Sequence, residues 1–91
     1  MLRLNCFFQA KPGKYNEALE AAILLTAKTQ KHEGVIAYDV FESATRKDIF
    51  MICETWENEE VLAKHAATPE FAECVGIIER CGEMKIEKLE M

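Results

Sequence analysis

Four stretches of the chain have the two-residue periodicity or the apolar composition of β-strands. From Leu2 to Gln9, one side of the predicted strand carries the apolar residues at positions 2, 4, 6 and 8. Three further strands are predicted over Val35 to Glu42, Asp48 to Trp56 and Met84 to Leu89. The polar stretch from 43 to 47 separates the second strand from the third. These two strands are therefore expected to pair as a hairpin.

A first helix is predicted between the first two strands. It begins after the turn Lys11-Pro12-Gly13-Lys14 and runs from Tyr15 to about Gln30. Gly34 then supplies the left-handed residue that commonly follows a helix. The apolar positions that recur at helical spacing, and that are expected to face the sheet, are Tyr15, Leu19, Ala22, Ile23 and Thr26.

A second helical segment follows the third strand and is predicted in two parts. Asn58 is a suitable N-cap for the first part, in which Val61, Leu62 and His65 share one face. Thr68-Pro69 begins the second part, because proline is well suited to the first helical position. The buried stripe of that part is predicted to consist of Phe71, Cys74, Val75 and Ile78.

The order β-α-β-β-α-β predicts a ferredoxin-like α+β domain that occupies residues 1–91. Its four-stranded antiparallel sheet is expected to carry the helices on one face. However, the second and third strands are apolar on both sides: Val35, Ala37 and Phe41 are expected opposite Ile36, Tyr38 and Val40, and Ile49, Met51 and Cys53 opposite Phe50, Ile52 and Trp56. Since helices can cover only one face, we expect a homodimer that closes through the other.

Composition and charge exclude several classes of protein. Eleven basic and sixteen acidic side chains give a net charge of −5, without the basic cluster that nucleic acids or anionic membranes select. The longest apolar run, 21–25, is far below the ~20 residues needed to span a bilayer, and the N-terminus has no signal pattern. A cytoplasmic location is expected. The four cysteines at 6, 53, 74 and 81 lack zinc-site spacing and are expected to be free thiols, so neither disulfides nor a metal site is predicted.

The segment from Ile49 to Phe71 resembles the antibiotic biosynthesis monooxygenase family of dimeric α+β barrels. The motifs that carry the resemblance are Glu54-Thr55-Trp56, the histidine His65 nine residues later, Thr68-Pro69-Glu70-Phe71, the turn Lys11-Pro12-Gly13-Lys14, and Glu33-Gly34 with Tyr38. The resemblance extends over essentially the whole chain. Family members typically have histidine at the position of Glu70, and its replacement removes one acid/base group from a helix at the rim of the pocket.

The resemblance implies a pocket between sheet and helices in each subunit. It also implies oxidation of a quinol or polyaromatic phenol by molecular oxygen, with no metal, flavin or other cofactor. A general base for that reaction should titrate near neutral pH, which favours histidine. His32, expected in the last turn of the first helix, is interpreted as structural or solvated. His65 is the candidate catalytic base, with Trp56 as its catalytic partner, and the candidate substrate-binding residues are Asn5, Tyr38, Glu54 and Phe71.

Each of these residues also has a purely structural interpretation. His65 could be a half-buried histidine bonded to a backbone carbonyl, and Trp56 could belong to the core. Glu54, if buried, could be held by an ion pair or by backbone hydrogen bonds. Asn5 and Tyr38 could each satisfy the backbone instead of a ligand.

The same superfamily resemblance leaves three other functions to be considered. An isomerase of a phosphorylated small molecule would need convergent Lys or Arg side chains, which the apolar helix faces do not provide. A haem-degrading enzyme would have its iron-ligating histidine where this chain has Val75. A non-catalytic small-molecule-binding dimer is compatible with every motif.

Overall fold

The computed structural model describes all 91 residues and contains four strands and three helices. These elements are β1 (Leu2–Ala10), α1 (Tyr15–Thr29), β2 (Val35–Glu42), β3 (Ile49–Trp56), α2 (Glu59–Ala66), α3 (Pro69–Cys81) and β4 (Gly82–Glu90). Every strand pair is antiparallel, in the spatial order β2-β3-β1-β4. The predicted ferredoxin-like α+β fold is confirmed.

The two parts of the second helical segment begin where the sequence predicts them. The Asn58 side chain accepts a hydrogen bond from the Val61 amide at 3.0 Å, and the Thr68 hydroxyl accepts one from the Phe71 amide at 3.2 Å. Pro69 occupies the first turn of α3. Two separate caps therefore divide the segment, and α2 and α3 can lie at different angles over the sheet.

The face of the sheet beneath the helices forms the floor of the hydrophobic core. In β1 and β3, the side chains of this face that are buried and apolar are Leu2, Leu4, Cys6, Phe8, Ala10, Phe50, Ile52 and Trp56. Phe8 stacks on Phe50, its cross-strand neighbour, with ring centroids 4.6 Å apart. Burial of such side chains contributes on the order of 1.5–3 kcal/mol each. The alternation predicted for these two strands is confirmed.

The first helix packs largely as predicted, with one exception. Ala22 is buried, and Tyr15 and Leu19 pack against the core. Ile23, however, is 52% exposed, and the other buried residues of α1 are Ala18, Ala21, Leu25 and Thr29. The buried side of the helix is therefore centred near Ala18 and Leu25, and the prediction for Ile23 was wrong.

The second strand contains an irregularity that changes its predicted faces. The register with β3 shifts between Val35 and Ala37, so Val35 packs against the core together with Val40, while Ile36 is 51% exposed. We had predicted Val35 on the side of Ala37 and Phe41. One extra residue in a strand reverses the alternation after it, and nothing in the two-residue period of the sequence predicts where that occurs.

The opposite face of the sheet is apolar at its centre. Phe7, Met51 and Phe41 are cross-strand neighbours and form a row over β1, β3 and β2. Phe7 is 43% exposed and Phe41 51% exposed. We call this row, with the neighbouring Ile49 and Cys53 of β3, the outer apolar patch. None of the three helices combines the length and apolar composition needed to cross a bilayer.

Candidate active site

A cavity of about 360 Å³ lies between the sheet and helices α2 and α3. Most of its wall is apolar, including Leu4 and Ile52 of the sheet, Leu62 of α2 and Val75 of α3. The polar or ionisable side chains that reach it are Cys6, Tyr38, Glu54, His65 and Glu79. A concave, largely apolar space with a few polar groups is the usual form of a small-molecule site.

His65 is held in the wall of this cavity by aromatic neighbours. It is only 2% exposed, and its ring centroid lies 4.5 Å from that of Trp56, 5.1 Å from that of Phe71 and 5.7 Å from that of Tyr38. Asn58 positions the ring indirectly, since capping at that residue sets where α2 begins and hence which face His65 occupies. No backbone carbonyl binds the imidazole, which contacts another histidine instead.

That second histidine, His32, links His65 to a carboxylate. The His32 Nδ1 atom is 2.8 Å from Nδ1 of His65, and His32 Nε2 is 2.8 Å from Oε2 of Glu70. The three residues come from the turn after α1, from α2 and from the first turn of α3. We had interpreted His32 as a structural or solvated residue in the last turn of α1. The predicted position was wrong, because α1 ends at Thr29 and His32 lies in the turn that follows, where it contacts His65 of α2.

Hydrogen-bonding rules determine which nitrogens carry protons in this cluster. The His32–Glu70 hydrogen bond lowers the pKa of Glu70, so this carboxylate can only accept and Nε2 of His32 must donate. A neutral His32 then has an unprotonated Nδ1, which accepts the Nδ1–H of His65. The Nε2 atom of His65 is left without a proton, and it is buried without a hydrogen-bond partner. The lone pair of this nitrogen therefore has no partner within the protein.

The electrostatic environment keeps His65 neutral. Burial lowers its pKa to about 4, nearby His32 acts in the same direction, and Glu70 opposes both. An imidazole with this pKa is uncharged at pH 7 but is a weak base, so His65 does not meet the expectation of a general base that titrates near neutral pH. A buried imidazolium, however, would be poorly stabilised in this apolar wall.

Glu54 forms a second buried polar group at the cavity. Its Oε1 accepts a hydrogen bond from the Trp56 indole at 2.9 Å, and its Oε2 accepts one from the Cys6 thiol at 3.4 Å. Burial raises the pKa of Glu54, although both hydrogen bonds lower it. Neither the ion pair nor the backbone bonds that we considered hold this carboxyl group. Trp56 is fully buried behind the cavity, where it supports Glu54 and His65.

The other predicted residues divide between the two faces of the sheet. Tyr38 and Phe71 line the cavity, and burial raises the pKa of the Tyr38 hydroxyl well above its ordinary value. Asn5 lies on the opposite face, where its amide donates to Glu87 at 3.0 Å and accepts from Arg3. The structure thus brings together His65, Glu54, Tyr38 and Phe71, but Asn5 is separated from them by the sheet.

Two residues of the site, His32 and Glu70, were absent from the predicted set. Glu70 had been noted only because relatives typically have histidine there. One feature of the sequence could have indicated His32: the chain has just two histidines, and His32 lies after the first helix, close to Gly34. They meet because three segments that are separate in the sequence are packed together, which no local pattern predicts.

Comparison with known proteins shows the family to which the chain belongs. The family model described as antibiotic biosynthesis monooxygenase matches residues 1–76, a range that includes His32, Glu54, His65 and Glu70. The chain belongs to the antibiotic biosynthesis monooxygenase family. Monooxygenase function is therefore supported at the level of the family.

Individual relatives agree with this assignment. YcnE of Bacillus subtilis (strain 168), provisionally named a monooxygenase, is 31% identical over 71 residues, which are 78% of this chain and 75% of YcnE. A solved structure from Bacteroides thetaiotaomicron, a conserved protein of unknown function described as a possible oxidoreductase, is 56% identical. The two structures match with a TM-score of 0.96, and the match covers 99% of this chain and 96% of that one. A structure described as an antibiotic biosynthesis monooxygenase, 24% identical, covers 100% and 98% of the two chains with a TM-score of 0.91, and shows the fold alone.

Proposed function

We propose that this protein is a cofactor-independent monooxygenase that oxidises a small aromatic or quinol-type substrate with molecular oxygen. The observation that carries the proposal is the neutral His65, which lines an apolar cavity and whose buried Nε2 has no hydrogen-bond partner. The cavity volume of about 360 Å³ is at the lower end of the range for small-molecule sites, which suits one or two aromatic rings.

The chemistry requires the protein to bind and deprotonate the substrate. His65 accepts the phenolic proton at Nε2 and leaves a phenolate, which is a much better electron donor than the neutral phenol. The phenolate reduces oxygen, one oxygen atom is added at a ring carbon, and the second leaves as water. A phenol with a free ring position and one O₂ molecule thus give one quinone and one water, and the electrons come from the substrate itself.

Other residues of the cavity have supporting roles in this proposal. Phe71 presents its ring edge to His65 and contributes an apolar surface for an aromatic substrate. The high pKa of Tyr38 keeps its hydroxyl protonated, so it can donate a hydrogen bond to a substrate oxygen. Glu54, with its raised pKa, orients Trp56 behind the imidazole.

The structure favours this function over the phosphate-directed alternative. No Lys or Arg side chain lines the cavity, so a phosphate group placed there would have no cation to pair with. Val75 lines the cavity at the position where a haem-degrading relative would have histidine. A binding protein without turnover would use the same cavity, and only a rate measurement separates it from an enzyme.

We also propose that the protein is a homodimer that closes through the outer apolar patch. Phe7 and Phe41 would otherwise remain exposed on a face that has no helix to cover it. A second copy presents the same patch, as a two-fold interface requires. Arg3 and Asn5 would lie near the margin of such an interface.

Oxygen uptake tests the proposed activity. The wild-type protein is assayed with a panel of reduced quinols and polyphenols, without added metal or flavin. His65→Gln and His65→Ala are expected to remain folded and to lower the rate by roughly 10²–10⁴-fold, the usual contribution of one positioned acid/base group. Tyr38→Phe keeps the ring and is the matched control, with a smaller loss expected.

The result distinguishes the enzyme from the binding protein. A wild-type protein that binds panel compounds without consuming oxygen would support the non-catalytic function. If both His65 variants keep the wild-type rate and thermal stability, the base lies elsewhere. Variants that lose stability with no selective loss of rate would show that His65 is structural.

A further inference from the structure

The two histidines span the wall between the buried cavity and the protein surface. His65 lines the apolar cavity on one side. On the other side, a separate polar groove of about 220 Å³ is lined by Lys31, His32, Glu33, Lys64, His65 and Thr68. His32 is therefore reached by solvent, while its Nδ1 atom contacts the buried ring of His65.

A proton accepted by His65 alone would leave a positive charge in an unfavourable place. The imidazole is surrounded by the rings of Trp56, Phe71 and Tyr38, none of which carries a negative charge. On His32 the same charge would be 2.8 Å from the Glu70 carboxylate and next to the groove. A hydrogen-bonded ion pair at the edge of the protein is much less costly than an isolated cation in its interior.

We propose that His32 and Glu70 are positioning residues of a proton relay, through which the charge of the substrate proton moves from His65 to the protein surface. This inference rests on the proposed role of His65 as the base. It assigns a function to Glu70 that its carboxylate performs and that a neutral side chain of the same shape cannot.

The relay consists of two proton transfers. The substrate hydroxyl gives its proton to Nε2 of His65, and the Nδ1–H of His65 passes to Nδ1 of His32. His65 ends as a neutral ring protonated on Nε2, and His32 ends as an imidazolium whose Nε2–H still donates to Glu70. One proton leaves the substrate and one is gained by the histidine pair, so no other reactant is needed until the groove releases it.

Of the ionisable groups near His32 and His65, Glu70 is the one that forms a hydrogen bond with an imidazole of the pair. Glu54 binds Trp56 and Cys6, and Lys64 pairs with Glu33 at 3.3 Å. The remaining groups on neighbouring elements are Tyr38 on β2, Cys74 on α3, and Lys28 and Lys31 near the end of α1. None of them forms a hydrogen bond with either imidazole.

The dependence of the rate on pH tests the relay. Glu70→Gln keeps a hydrogen-bond acceptor for His32 but removes the negative charge, and Glu33→Gln is the control, because it removes a carboxylate from the same groove without touching His32. Glu70→Gln is expected to move the acid limb of the kcat profile to lower pH, since Glu70 raises the pKa of His65. Its maximum rate is expected to fall by roughly 10–100-fold, the loss found when a metal-ligating histidine is deprived of its carboxylate partner. Glu33→Gln is expected to behave as wild type.

Imidazole ¹⁵N NMR of the substrate-free protein tests the same relay without turnover. At pH 8, His65 is expected to carry its proton on Nδ1, and it should change to the Nε2–H form when the hydrogen-bonded pair of histidines gains a proton on acidification. Glu70→Gln should shift this change to lower pH, and Glu33→Gln should not. A wild-type His65 already protonated on Nε2 at pH 8, or identical transitions in the two variants, would overturn the relay.

The two proposals can fail separately. If His65→Gln abolishes oxygen uptake while Glu70→Gln and Glu33→Gln have identical pH profiles, His65 is the base and the relay is wrong. If the NMR transitions follow the relay while no compound supports oxygen uptake, the relay exists and the proposed monooxygenase activity is wrong.

Discussion

At the scale of single residues, this protein places an imidazole where it cannot easily become charged. His65 is surrounded by aromatic rings, and its one polar partner is another histidine. Burial is the largest cause of its low pKa. The same burial that keeps the nitrogen unprotonated and available to a substrate also makes the folded protein sensitive to acid.

This sensitivity gives a prediction for stability. The pKa of His65 is about 4 in the folded protein and 6.5 in an unfolded chain, so between these values the unfolded state binds the extra proton. The His65 contribution is therefore complete above pH 6.5 and is lost as the pH falls towards 4, a change of up to about 3 kcal/mol. Urea unfolding at pH 7.5 and pH 4.5 measures it.

His65→Gln should lose this part of the pH dependence. The comparison between variants matters because Glu54, whose pKa is raised, acts in the opposite direction: the folded protein holds its proton as the pH rises above 4.5. Subtracting the two unfolding curves isolates His65. Equal differences between pH 7.5 and pH 4.5 in wild type and variant would show that His65 is not buried as a neutral ring.

At the scale of elements, capping residues determine where α2 and α3 begin, and glycines with positive φ form two of the turns. Gly13 and Gly34 both have positive φ, at 76° and 78°. They differ in their surroundings, because a Cβ atom at Gly34 would lie 2.5 Å from Cγ2 of Val61, whereas nothing lies within 4 Å of one at Gly13. The turn at Gly34 joins the His32 segment to β2 and packs against the first turn of α2. The last turn of the same helix carries His65.

The two glycines form a matched pair of test sites. Gly13→Ala should cost about 1–2 kcal/mol of unfolding free energy, which is the strain of a left-handed residue with a side chain. Gly34→Ala should cost more, because Val61 must also move, and α2 must shift with it. Chemical denaturation of both variants measures the difference. Equal losses of stability would mean that the contact with Val61 is relieved without cost.

At the scale of the whole molecule, the sheet has one face in the core and one that is apolar but uncovered. The central row of the outer apolar patch, Phe7, Met51 and Phe41, crosses three of the four strands. An apolar row in the middle of a sheet is a liability for a monomer. Burying it against a second copy is the simplest way to remove it from water.

Sedimentation tests this assembly. Wild type is expected to be a dimer at micromolar concentration, and Met51→Lys should shift it to a folded monomer, because a lysine at the centre of the interface would be buried without a partner. Ile23→Lys is the control, since Ile23 is exposed on α1 and lies outside the patch. A folded wild-type monomer, or equal behaviour of the two variants, would contradict the proposed interface.

Much of this protein follows from local sequence. The β-α-β-β-α-β order, the two caps at Asn58 and Thr68 and the alternation of β3 were predictable, because each depends on a few neighbouring residues and on a fixed periodicity. Which face of β3 lies beneath the helices was not predicted. The family resemblance likewise rested on short motifs around Glu54, Trp56 and His65. None of these features depends on how the elements pack against one another.

Only the tertiary structure decided the rest. The irregularity at Val35, the exposure of Ile23 on α1 and the meeting of His32 with His65 and Glu70 all depend on contacts between distant elements. A helical period indicates which residues share a side, but packing decides which residues at the edge of that side are covered. His32 lies in the turn after α1, whereas its partners belong to α2 and α3, so no local pattern joins them. A histidine that looked incidental in the sequence thus became the partner of the candidate base.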